Sequence, residues 1–272
     1  MTYTMQRVIS REGTGFACRY AYLSVDRDGN VYLVSTMITE RGRTMYLLRT
    51  NPNGTTRKGF QHLLFTDVIL GSKDGSEGFT YATGNADGHV ALGNYGAPTE
   101  VWMYGPDLAP DPIARVTGEF AGGGGAYRVE AGAVSGRFYA LAQYGVAAGG
   151  AATPHAQIEV IGAPPAEQLT GLTALPLPFG HDATTRVLDF RVRETGTADA
   201  PAPVFYVLYK VVLDSTHFAN HLAKVDSAGT VLWDRVDDAS TGGVLNSIVR
   251  QSVGEDTAVP GRGGVACPGR AR

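Results

Sequence analysis

The sequence predicts an all-β domain built from small, repeated antiparallel sheets. Three observations carry this. The stretch Tyr20 to Phe60 reads as a complete four-stranded meander. Its turn signatures return further down the chain. The composition suits strands and turns: 36 of 272 residues are glycine and only 18% are charged, which argues against a helical or disordered chain.

Tyr20 to Val25 alternates large apolar residues with small ones, at the period of a half-buried strand. Asp26-Arg27-Asp28-Gly29-Asn30 follows, and Asp-Gly with Gly-Asn supplies the positive-φ residues of a tight hairpin. Val31 to Val34 is the return strand, rich in β-branched and aromatic residues. Thr39 to Arg43 reads as a second turn and Met45 to Leu48 as a third strand. Asn51-Pro52-Asn53-Gly54 is a third turn, and Thr55 to Phe60 a fourth strand. A lone meander of about forty residues cannot bury both faces, so it needs neighbours of its own kind.

The inner hairpin returns at Asn85-Ala86-Asp87-Gly88-His89-Val90 and, less fully, at Val134-Ser135-Gly136-Arg137-Phe138. A fourth copy has a longer connection, Glu194 to Pro203. From Gly29 to Gly88 is 59 residues, to Gly136 another 48, and to Pro203 another 67. The outer hairpin Leu48 to Thr55 is answered by Ala223-Lys224-Val225-Asp226-Ser227-Ala228-Gly229-Thr230, then Val231-Leu232-Trp233. On these residues the chain resembles the bacterial β-propeller repeat family. Its inner hairpin runs DxxGNxYVTG, matched by Asp26, Gly29, Asn30, Val31 and Tyr32, and its outer one KxDxxGxxxW, matched by Lys224, Asp226, Gly229 and Trp233. The match is close in two of the four units. It implies a β-propeller of four to five four-stranded antiparallel blades, complete or incomplete, and an extracellular or surface setting.

Taken in order, Thr2 to Ser10 alternates and reads as an outer strand. The blades are expected at about 16–65, 78–120, 127–178 and 186–236, with a partial fifth at 244–252. Residues 1–253 then form the propeller domain and 254–272 a disordered tail rich in Gly, Pro and Arg. Ala147 to Pro154 and Thr195 to Pro203 read as exposed loops, and Gly122 to Gly125 as a linker. The count fits either a closed small ring or a fragment of a longer one.

Net charge is −3, so no strong field favours nucleic acid. No run approaches the roughly eighteen apolar residues of a membrane span, and no signal peptide is read at the start. Cys18 and Cys267 carry no disulfide framework. The four-glycine run lacks the Lys-Ser/Thr of a phosphate loop, no nucleophile elbow is present, and no cofactor motif is read. His217 and His221, four apart, could hold a metal with Asp214 but lack a third strong ligand; two exposed histidines are the preferred reading. His181-Asp182 reads as a loop turn.

In a propeller the first strand of each blade lines a central channel. Those strands offer Arg19, Tyr81, Tyr127, Arg128, Arg186, Asp189 and Arg250, cationic and phenolic groups that could converge on an anionic or sugar-like ligand. A purely structural channel is the competing reading, and the favoured one. The expectation is a non-catalytic binding or scaffolding module for a protein, small-molecule or carbohydrate partner at the channel mouth. The alternative is a propeller hydrolase with a funnel site, with or without a metal.

Overall fold

The computed structural model describes residues 17–26, 28–39, 42–53, 57–65, 78–95, 100–109, 112–117, 125–148, 151–162, 173–182, 184–214, 217–237, 247–250 and 258–261. Among these there is no helix. The described residues form four antiparallel four-stranded meanders of consecutive strands, the second and third joined edge to edge, and one two-stranded sheet. The first holds β1 (Ala17–Val25), β2 (Val31–Thr39), β3 (Gly42–Thr50) and β4 (Arg57–Phe65). The second holds β5 (Gly78–Gly84), β6 (Val90–Tyr95), β7 (Glu100–Tyr104) and β8 (Ala114–Thr117). The third holds β9 (Gly125–Ala131), β10 (Phe138–Ala148), β11 (Ala151–Ile161) and β12 (Thr173–Pro176). The fourth holds β13 (Thr185–Gly196), β14 (Pro201–Val212), β15 (Phe218–Asp226) and β16 (Val231–Asp237). A bridge between Tyr95 and Gly125 links the second and third.

Two stretches expected as loops are strand. β10 and β11 run through most of 147–154, pairing Ala148 with Ala151. β13 and β14 pair out to Gly196 and Pro201, so the connection is only the turn between them. The prolines are tolerated because β15 ends opposite Val204, leaving 201–203 with β13 on one side and a missing N–H free to face the other. Ala258–Gly261, inside the stretch read as a tail, forms β18 against β17 (Ser247–Arg250). Thr2 to Ser10, Gly122 to Gly124 and Cys267 lie outside the described residues.

Strand alternation decides which neighbour each side chain meets. In the second sheet Val90, Leu92, Trp102 and Tyr104 pack with Tyr32, Val34 and Leu47 of the first. The residues between them, Ala91, Val101 and Met103, pack with Val129, Phe138 and Ala140 of the third. The third sheet repeats the device: Tyr139 and Leu141 turn the other way, onto Val187, Phe190, Phe205 and Val207 of the fourth. So the sheets stack face to face in chain order, and the middle two are apolar on both faces. The far face of the fourth buries Tyr206 and Leu208 under Leu222 and Trp233.

The first strands also lie beside one another: β5 against β1, β9 against β5, β13 against β9 and β17 against β13. Each of the first four is interrupted by one extra residue. The register steps over Arg19 in β1, Thr80 in β5, Tyr127 in β9 and Leu188 in β13. A bulge bends its strand and re-aims the residues beside it, and here it recurs where the first strands meet.

Candidate functional site

At one end of the sheets lie the inner hairpin turns. Asp26 closes the first: its Oδ1 accepts the N–H groups of Asp28 and Asn30 at 3.0 and 2.8 Å, and its Oδ2 accepts Asn30 Nδ2 and the Tyr32 hydroxyl, each at 2.8 Å. Gly29, at φ 81°, supplies the left-handed residue. The second turn repeats this with Asn85, whose Oδ1 accepts the His89 N–H at 2.9 Å, and Gly88 at φ 84°. The outer turn of the fourth sheet repeats it with Asp226, Thr230 and Gly229.

The third inner turn has no acid of its own, and Glu194 of β13 reaches into it from the fourth sheet. Oε2 accepts the Val134 and Ser135 N–H groups at 2.9 Å, and Oε1 accepts the hydroxyls of Ser135 and Tyr139 at 2.5 Å. Burial works against the charged form, but these hydrogen bonds outweigh it and hold the Glu194 carboxyl below its ordinary range. Burial, with the neighbouring carboxylate, pushes the Tyr32 and Tyr139 hydroxyls well above theirs.

On the first strands, two of the expected site residues meet. Arg128 Nε lies 3.0 Å from Asp189 Oδ1, which is 1% exposed, and 3.1 Å from Glu130 Oε1. Arg191 Nη1 donates to the same Glu130 oxygen at 2.5 Å and stands 4.0 Å from Asp189. Two carboxylates of the protein thus flank Arg128, in keeping with the structural reading of the channel residues. Glu130 and Arg191 were missed, although the pattern was visible. Arg128-Val129-Glu130 on one strand and Asp189-Phe190-Arg191 on the next place opposite charges two apart on one face, in reversed order. Arg186 is exposed at the start of β13, in register with Lys210. Arg19, Tyr81, Tyr127 and Arg250 fall on β1, β5, β9 and β17, and their side chains lie outside the described set.

A second cluster sits near the start of β13, where Val187 pairs with Tyr209. Tyr209 and His221 are cross-strand partners, with rings stacked at 4.7 Å. Both reach Asp234 on β16: the Tyr209 hydroxyl donates to Oδ2 at 2.6 Å, and His221 Nδ1 lies 3.1 Å away. Burial first, then the bond and charge of Asp234, raise the Tyr209 hydroxyl above its usual range. Phe179 stacks on the Tyr209 ring at 4.2 Å. Two residues on, His181 meets His155 of β11 with Nδ1 atoms 3.0 Å apart.

His221 is thus half-buried and paired, not exposed as expected. His217 is the exposed one, held by Asp214 at 2.7 Å. Each histidine has its own carboxylate, so Asp214, His217 and His221 are not gathered. Among the described residues no group of three metal-ligating side chains occurs. Asp182 accepts from Thr184 and Thr185 and closes a loop turn.

Fold and clusters define an all-β protein of serially stacked four-stranded sheets. No protein-family model and no curated protein matches the chain.

Proposed function

We propose that the sheets are the blades of a β-propeller and that the chain is a non-catalytic recognition module, binding an anionic or carbohydrate-like ligand or a protein partner at the channel mouth. Face-to-face stacking in chain order, with bulged first strands side by side, supports the radial arrangement. One observation carries the functional reading: the acids and bases on the first strands are used against each other. Such groups hold sheets together, and recognition falls to what is left at the ends. Arg186 is exposed there, opposite Lys210, and suits an anion or a sugar hydroxyl. Calorimetry against neutral and acidic oligosaccharides tests it. Binding by the wild type and its loss in R186E, with melting unchanged, is the expected result. No binding, or equal binding by R186E, contradicts it.

The hydrolase alternative has its own observation. Asp234 can fix the His221 tautomer with Nδ1–H donated to it, leaving Nε2 as a base. Turnover of chromogenic esters or glycosides, abolished in H221A and D234N, would favour that reading.

A further inference from the structure

We propose that His155 and His181 form a two-imidazole site for a divalent transition metal of the copper, nickel and zinc class. The site lies at the seam between the third and fourth sheets, on the segment leading into β13. It does not depend on how the sheets are arranged about an axis.

Three features of the pair point to a metal. First, the tautomer of His181 is set from behind. Its Nε2 lies against the Leu177 carbonyl oxygen, which can only accept, so Nε2 carries the proton. Nδ1 is then a lone pair, and it faces His155 Nδ1 at 3.0 Å. A ligand imidazole with its other nitrogen tied to a backbone carbonyl is the usual outer support of a metal site.

Second, the rings do not lie in line. Their centroids are 4.3 Å apart and their planes tilted by 49°. A straight N–H···N bond between rings in line would hold the centroids well beyond that, because each centroid lies behind its nitrogen. The rings instead lean together with their Nδ1 atoms on the facing edges. Two nitrogens at metal bonds of about 2.1 Å, roughly at right angles, stand about 3.0 Å apart.

Third, the backbone beneath His181 is fixed. Gly180 has a φ of 84° and is packed so closely that a Cβ there would come within 2.9 Å of Ala156 Cβ. Leu177 is buried and Phe179 is stacked on Tyr209. The carbonyl behind Nε2 and the backbone leading to His181 are thus both anchored. Among the described residues the site offers two nitrogens, and water or an added ligand can complete the coordination. Imidazole donors favour copper most strongly within this class.

Titration with Cu²⁺ at neutral pH, followed by calorimetry and by electron paramagnetic resonance, tests the site in the full chain. One equivalent per chain is expected, with hyperfine coupling to two nitrogens. H155A and H181A should each weaken binding by about tenfold or more, while H217A, which removes an exposed surface histidine, leaves it unchanged. H155N keeps a polar group of similar reach and serves if H155A does not fold. Copper bound no more tightly by the wild type than by the H155N H181A double variant would overturn the site and leave the pair sharing only a proton.

Discussion

The first and third inner turns do one job with different parts. In the first, Asp26 caps its own turn and takes the hydroxyl of Tyr32, the second residue of the return strand. In the third, the return strand again has a tyrosine second, Tyr139, but the turn is Gly132-Ala133-Val134-Ser135-Gly136 and holds no carboxylate. Glu194 supplies one from the neighbouring sheet and takes both the turn N–H groups and the tyrosine hydroxyl. Moving the acid out of the turn changes its meaning. At Asp26 the hydrogen bonds are local and stabilise one hairpin. At Glu194 they tie a hairpin to the next sheet, so losing one side chain loosens an interface.

Breaking that contrast should have its largest effect at Glu194. E194A leaves the Val134 and Ser135 N–H groups and the Tyr139 hydroxyl without their acceptor; a loss of about 3 kcal/mol is expected in urea unfolding. E194Q sharpens the point through pH. The folded-state pKa of Glu194 is depressed, so the unfolded chain binds the extra proton first. The stability it contributes is complete above the ordinary carboxyl range and is lost as pH falls through the lower folded value. The acid limb of a stability–pH profile should flatten in E194Q.

G132A comes next. A Cβ on Gly132 would lie 2.4 Å from Glu194 Oε2, so either turn or carboxylate must move, at a cost of about 2 kcal/mol by the same measurement. D26N should be the mildest, about 1 kcal/mol, because an amide keeps the acceptor for the Asp28 and Asn30 N–H groups and loses only the oxygen that takes Asn30 Nδ2 and the Tyr32 hydroxyl. Equal costs for D26N and E194A would erase the distinction between a local cap and a tie across sheets.

Much of the fold was legible because it is local. Asp-Gly and Asn-Gly turns announce themselves, and the alternation around Val31-Tyr32-Leu33-Val34 or Val204 to Tyr209 reads directly as strand. The strand ends beyond Ala147 and Thr195 were missed because Gly, Ala and Pro carry little strand signal, and pairing with an established neighbour overrode it. The bulges at Arg19, Tyr127 and Leu188 leave no mark in composition, since a bulge is a property of register. For the candidate sites, Arg128 and Asp189 were found from their place on first strands. Their partners Glu130 and Arg191 were discoverable from the mirrored charge pattern. The His221–Asp234 and His155–His181 contacts join residues 13 and 26 apart, and no local rule reaches that far.

Whether the charges of the first strands bind sheets to one another or await a ligand is best decided by a double-mutant cycle at Arg128 and Asp189. Each of R128M and D189L should strand a buried partner, and R128M D189L together should be less destabilised than their sum by at least about 1 kcal/mol in urea unfolding. Strictly additive costs, or single variants as stable as the wild type, would contradict the pairing and return Arg128 to the pool of groups free to meet a ligand.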